Sequence, residues 1–502
     1  MKKLHSAGKA IVALVVMTTG MLLAACSGSD KDTHVVKNLE DLHGACVGVQ
    51  LGTSSDVAIT EYEKSGDGTV VERFTKTGDA ISALKQNKLD CVVTDEIPAQ
   101  AYLRVNPSLK TLPKAFEESD YAICISKKNG KLLAEINSAI NVLKQQGVMD
   151  KIMEAHIINH KDIAYTPKND IDRSRGKIVW ATNATFEPFE YHKNGKIVGI
   201  DIDIANAICD YLGYECEIMD IEFDAIITSV QTGKSDAGIA GITETPERRK
   251  SIDFTQNYCK VRQVVIVNDG LASASDEPTF SERIHNCFVE DARYTYILKG
   301  LGNTFVITIF ALIISLILGT LIAIVRSTHD RNGNLKILNA ICHIYLTVMR
   351  GTPTMVQLLI IYYVVFASAN VSQIFVAVIA FGLNSAAYIA EVIRSGIMSV
   401  DKGQLEAGRS LGLSYAKTMR LVILPQAFKN VLPAMGNEGI TLLKETSISG
   451  YIGLVDLTKG SDIIRSVTYE AVLPLGLVAV IYMIVVLTLS QGVSRLEKRL
   501  QK

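Results

Sequence analysis

The chain carries little net charge of either sign: its 502 residues sum to a formal −1. No long basic tract offsets that balance locally, which removes the electrostatic case for a nucleic-acid partner. A GxxxxGK[ST] segment is also missing. "GLGNT" and "LGTSS" are not phosphate loops, so the chain is not expected to hydrolyse ATP itself. Its nine cysteines lack the close, repeated spacing of a zinc site. Several, as in "DCVVTD" and "YAICIS", fall in apolar strand-like runs that suit buried thiols. Whether Cys209 and Cys216 pair is left open. No Ser/His/Asp arrangement stands out for hydrolysis, and no kinase, signalling or pore-filter segment supports a sensory receptor or ligand-gated channel.

Long apolar runs are what the second half has in quantity. Residues 301–325 and 351–390 contain no charged side chain, and about 20 such residues cross a bilayer. Five crossings are expected, over 303–325, 353–369, 371–393, 428–443 and 472–491. The fourth is short and contains Glu438, which suits a helix buried in a bundle rather than facing lipid. At the other end, "MKKLHSAGK", "AIVALVVMTTGML" and "LAAC" follow the order of a secretory signal over residues 1–25. The "LAAC" run resembles a bacterial lipobox, which implies cleavage before Cys26 and lipidation of its thiol, with 26–38 as a tether. With that end outside, Arg326, Arg331 and Lys336 fall in the first internal loop. Lys402, Arg409, Lys417, Arg420 and Lys429 fall in the second, and Arg495, Lys498, Arg499 and Lys502 in the tail. Basic residues thus follow the inner face.

Between those ends, residues 39–269 read as soluble α/β protein. Strand-like "ACVGVQ", "TVVERF" and "DCVVTDE" alternate with helical stretches, and Ile136, Ile140 and Leu143 recur at helical spacing. A second series runs from "KIVWATN" to "RQVVIV". Parallel-sheet lobes of this kind bind ligands beyond their strand ends. In the membrane half, "EAGRSLGLSYAKTMRLVILPQ" is too polar for lipid. Leu405, Leu411, Leu413, Tyr415, Met419 and Val422 form an apolar set, Gly412 permits a sharp turn and Pro425 limits the second helix. Two short helices of this kind suit a partner's groove or the headgroup surface.

The run "GQLEAGRSLGLSYAKTMRLVILPQA" resembles the EAA coupling loop, here 403–427, of ABC-importer permeases. "LKGLGNTFVITI", "MRGTPTMVQLLIIYY" and "GITLLKETSISGYIGLVDL" are similar to the polar amino-acid permease family, over residues 295–500. The resemblance implies an all-α type I importer bundle in the cell membrane, with Glu406, Ala407, Gly408, Leu411, Gly412 and Met419 meeting a separate ATP-binding subunit that uses ATP and Mg. It also implies a second permease copy. Gly408 stands where the family often has alanine.

The outer region resembles the amino-acid-binding proteins of ABC importers, a two-lobed type II periplasmic-binding-protein fold, in reversed order. Residues 39–55 match the opening of the second lobe, 120–156 the closing helices of the first, and 176–267 the opening of the first. The implied organisation is 39–160, a linker over 161–175, then 176–269 and a second linker over 270–294. This is either one circularly permuted module or two decayed tandem copies. By motif position, Arg248, Thr243 and Gly241 would hold an amino acid's carboxylate, Asp95 its ammonium, and Phe186 and Phe223 its flanks. Gln50, Thr53 and Ser54 occupy further contacting positions. Asn183 stands where relatives taking cationic substrates, and some taking glutamine, commonly carry an acid; a neutral Asn183 beside Gln50 disfavours lysine or arginine and points to a neutral polar ligand such as glutamine, or cystine. No cofactor is expected on this chain.

Overall fold

A computed structural model describes residues 34–269, 279–367, 369 and 371–500. The signal segment and Cys26 lie outside them. Among the described residues fourteen strands form three sheets. In the first, β1 (Cys46–Gln50), β2 (Val70–Phe74) and β3 (Cys91–Asp95) are parallel, while β4 (Leu109–Thr111) and β5 (Glu117–Tyr121) flank the long antiparallel strand β14 (Cys259–Asn268). All five residues of β3 are buried, as expected for a parallel strand covered on both faces. Val265 and Val267 of β14 pack into one core of this lobe, and Val264 and Ile266 into the other, the period-two alternation of a pleated strand.

The second lobe has the order β11-β7-β12-β6-β13. It contains β6 (Cys124–Ile125), β7 (Lys177–Thr182), β11 (Glu215–Asp220), β12 (Ala237–Gly238) and β13 (Asp253–Phe254). A small antiparallel sheet of β8 (Thr185–Phe186), β9 (Glu190–Lys193) and β10 (Lys196–Val198) lies beside it. Helix Gly130–Gln145 is capped by the Asn129 side chain on the Leu132 amide. Its Ile136, Ala139, Ile140 and Leu143 form an apolar stripe at helical spacing against Trp180 of β7 and Ile204 and Ile208 of helix Ile200–Leu212. Residues 130–153 thus complete the lobe that β7 opens.

One boundary differs from the sequence reading. "RQVVIV", read with the 176–269 series, lies in β14 and pairs with β3 of the other lobe, Gln263 opposite Asp95. The chain crosses between lobes twice, from β5 to β6 and from β13 to β14. These crossings run side by side, with the Thr255 and Tyr258 amides donating to the Ile123 and Tyr121 carbonyls, both at 2.9 Å. The expected linker over 161–175 is not free. Asp203 accepts from the Ala164 and Tyr165 amides at 2.6 and 3.0 Å, and Asp210 from the Lys168 amide at 2.8 Å.

The remaining chain is a helical bundle. Among the described residues three helices are long and apolar enough to cross a membrane: Tyr294–Asp330, Gln373–Ser399 and Val472–Arg499. A fourth crossing exists if Lys336–Gly351 and Thr354–Val365, bent by 111°, count as one. The five expected crossings are corrected on two counts. The second, 353–369, is only the far limb of that bent pair. Its break falls at Thr352, held extended by the proline that follows. The fourth, 428–443, lies in helix Leu424–Glu445, 22 residues long, which carries Pro433 and whose Glu438 accepts from Ser385 at 3.1 Å; it has the length to cross but is not among the helices that are also apolar enough. Close packing comes from small residues. A β-carbon on Gly319 would lie 3.0 Å from the Ala386 carbonyl oxygen, and one on Gly382 would lie 3.0 Å from Ile314.

Candidate functional site

The carboxyl ends of β1 and β3 face those of β7 and β12 across the hinge. The ten residues singled out from sequence line one cavity there: Gln50, Thr53, Ser54 and Asp95 from one lobe, Asn183, Phe186, Phe223, Gly241, Thr243 and Arg248 from the other. Glu190 and Ala240 complete the wall. The enclosed free space is about 20 Å³, roughly what one water needs, so an amino acid enters only when the lobes part.

Each polar wall is built from local structure. Thr53 caps helix Ser54–Lys64, its hydroxyl accepting from the Asp56 amide, so that helix presents its amino end to the cavity, a favourable place for a carboxylate. Beside it, Arg248 bridges the lobes, donating to the Thr243 carbonyl at 2.5 Å and the Gly52 carbonyl at 2.6 Å. Its guanidinium lies 5.7 Å from the Phe223 ring centre, and burial holds its pKa below the usual value. Gly241 has φ +55°, and a β-carbon there would meet Phe186 and Tyr121 at 3.1 Å. Only glycine leaves this floor open.

Asp95 ends β3 with one carboxylate oxygen bound by the Tyr121 hydroxyl at 2.5 Å. Its other oxygen is buried without a partner. Burial pushes this carboxyl up to about 6, the Tyr121 bond opposing the shift. An arriving ammonium would supply the missing donor and countercharge. On the opposite side, Asn183 donates to the Ile221 carbonyl at 2.9 Å, so its oxygen turns toward Gln50, 3.4 Å away. Gln50 is fixed in turn by Thr77, which donates to its oxygen at 2.9 Å.

Glu190 was not singled out from the sequence. It is 1% exposed, with one oxygen lacking a partner. Burial and the neighbouring Asp201 push its pKa well above the usual range, while Asp201, itself raised to about 7 by burial, accepts from the Gly241 amide and the Tyr258 hydroxyl. Burial and this neighbouring carboxylate both favour the protonated form of Glu190. An acid set between two aromatic residues, Phe189 and Tyr191 in "PFEYHK", was the available signal.

The six residues expected to meet the ATP-binding subunit separate. Glu406, Ala407, Leu411 and Gly412 are exposed, Leu411 at 83%. Gly408 is buried against Thr418, whose methyl would lie 2.4 Å from a β-carbon at 408. Met419, with Leu405 and Val422, packs inward on Ile397 and Ile423. Gly408 therefore serves close packing between the two short helices, and Gly412, at φ +83°, makes the turn. Cys209 and Cys216 are free thiols in hydrogen-bond contact.

A hinged, two-lobed cleft seated on a bundle with membrane-length helices defines a membrane transport protein carrying its own solute receptor. The chain belongs to the bacterial extracellular solute-binding proteins, family 3, matched over residues 178–445, here joined to an ABC transporter permease. It is 39% identical to the arginine transport system permease protein ArtQ of Bacillus subtilis (strain 168) over 208 residues, 41% of this chain and 93% of that protein. It is 37% identical over 207 residues to the putative glutamine transport system permease protein GlnP of Rickettsia typhi (strain ATCC VR-144 / Wilmington), again 41% of this chain and 93% of the relative. A crystal structure of an amino acid ABC transporter with histidines is 42% identical, with a TM-score of 0.39, covering 42% of this chain and 98% of its own.

Proposed function

We infer that this chain drives ATP-dependent import of a polar amino acid, supplying both the receptor and the permease while a separate subunit hydrolyses ATP. Its role is transport rather than catalysis. The observation that carries this reading is the convergence of ten residues from both lobes on one cleft, joined to a bundle 39% identical to an amino-acid permease. Arg248 and the amino end of helix Ser54–Lys64 take the substrate carboxylate, and Asp95 takes the ammonium. Phe186 and Phe223 flank the aliphatic part. Asn183, Gln50 and neutral Glu190 present hydrogen-bonding groups without a net charge, which favours a glutamine-like side chain over a cationic one.

The receptor is one permuted type II module. In support, residues 34–37 and 267–269 line a common groove, so the ends opened by permutation remain side by side, as a tolerated cut requires. The bundle is of the type I importer kind and works with a second permease copy in the cell membrane. Glu406, Ala407, Leu411 and Gly412 face the ATPase; Gly408 and Met419 hold that surface in shape. Cys26 anchors the receptor end by lipidation. Calorimetry on the full chain tests the substrate assignment: glutamine binding well above arginine is expected, and the reverse order would overturn the neutral-ligand reading.

A further inference from the structure

Helix Lys336–Gly351, the near limb of the bent pair, divides its surface into three faces. Cys342 and Leu346 pack on Ile322, Ala387 and Ala390 of the two neighbouring spans, and the Tyr345 hydroxyl donates to the Leu383 carbonyl. On a second face, Ile337, Ile341, Ile344 and Val348 recur at intervals of three and four residues and stand 52–81% exposed. The third face carries Asn339, His343, Thr347 and Arg350, also at helical spacing. Gln357 fixes the end of the helix, donating to the Met349 and Thr352 carbonyls at 2.8 and 3.0 Å.

His343, Thr347 and Arg350 line a cavity of about 300 Å³ together with Arg326 and Glu391, one from each neighbouring span. Three arginines gather around it against two carboxylates. Arg394 takes both acids, donating to Glu391 and to Asp330 at 3.1 Å each. Arg350 lies 4.0 Å from Glu391, beyond hydrogen-bond reach. Arg326 touches Asn339 at 3.5 Å, and its Nε is buried with no partner among the described residues. Two guanidinium groups therefore converge on one cavity with donors to spare. A phosphate is the acceptor that such planar forks match.

We propose that this cavity binds the phosphate of an anionic phospholipid headgroup, with Arg326 and Arg350 as its charged donors. The adjoining apolar face selects the lipid as the source of that phosphate. From Ile337 to Val348 it runs uncovered for about 16 Å at 1.5 Å per residue, beside the end of the membrane-length helix Tyr294–Asp330. Acyl chains cover such a face while the polar face stays at headgroup level. A soluble phosphate offers those isoleucines nothing. Basic-residue bias puts Arg326 at the inner face, where anionic lipids attract arginine. Once bound, the phosphate joins helix Lys336–Gly351 to the first span and holds the 111° bend in place.

Native mass spectrometry of the full chain in detergent, titrated with phosphatidylglycerol, tests the site. Phosphatidylglycerol should be held at this site more tightly than phosphatidylcholine. Arg326→Gln and Arg350→Gln should each weaken its binding about fivefold, and together about 30-fold. Glu391→Gln should strengthen it by removing the carboxylate that repels the phosphate, a gain that a misfolded chain cannot produce. Inorganic phosphate at the same concentration should not displace the lipid. Unchanged phosphatidylglycerol affinity in the double variant, or weaker binding in Glu391→Gln, would overturn the site. Displacement by equimolar inorganic phosphate would overturn the lipid as its occupant.

Discussion

The cleft and the 402–423 segment lie at opposite ends of the protein and hold their side chains in opposite ways. Helix Gln373–Ser399, 27 residues long, separates them by about 40 Å at 1.5 Å per residue. In the cleft, polar groups are fixed by bonds on one side and left short of partners on the other: Asp95 keeps one oxygen unpaired behind Tyr121. At the far end, Leu411 stands 83% exposed while Met419 turns into the core. A small-molecule site is marked by buried polar atoms awaiting partners. A docking surface is marked by apolar atoms left uncovered.

The largest effect should come from the cleft. Arg248→Ala removes the charged partner of a desolvated carboxylate, a loss of roughly 2–5 kcal/mol, or about 30-fold to several-thousand-fold in affinity. Calorimetry checks it, and an unchanged dissociation constant in the folded variant would remove Arg248 from the site. At the other end, Gly412→Pro should stop ATP-driven uptake while leaving binding intact, because proline cannot adopt φ +83°. Leu411→Asp should act in the same direction by placing a charge in the apolar contact, whereas Glu406→Lys should be milder. Normal uptake in both Gly412→Pro and Leu411→Asp would free this segment from coupling.

A titration separates the two regions more finely. Asp95 in the free protein is raised to about 6 by burial, and the substrate ammonium requires its ionised form. Affinity should therefore be level above about pH 6 and fall about tenfold per unit as pH drops below it, with that slope absent in Asp95→Asn. The smallest effect is expected at Gly408. An alanine there would press on Thr418, costing about 1–3 kcal/mol of local packing. Gly408→Ala/Thr418→Ser should recover uptake that Gly408→Ala alone reduces.

What sequence could convey depended on how each residue does its work. The cleft positions sit at strand ends, in short turns and in the first turn of helices, where local backbone geometry sets which way a residue faces, so the motifs placed all ten around one cavity. Glu190 escaped because its significance comes from Asp201, eleven residues away in sequence and brought close only by folding. The inward turn of Met419 was equally hidden, since an amphipathic pattern shows that a face is apolar without saying whether a partner or the chain's own core covers it. Helix-breaking Pro353 marked the bend before the second limb, but its 111° magnitude depends on packing. Lys459 and its partner Glu222 lie 237 residues apart in the chain, beyond the reach of any local pattern.

The central claim is that one polypeptide receives an amino acid in the cleft and passes it through its own bundle under ATP drive. Uptake of radiolabelled L-glutamine into proteoliposomes holding this chain and its ATP-binding subunit tests it most directly. Accumulation against a gradient that requires ATP and disappears in Arg248→Ala is the expected result. Tight glutamine binding without ATP-dependent accumulation would contradict it.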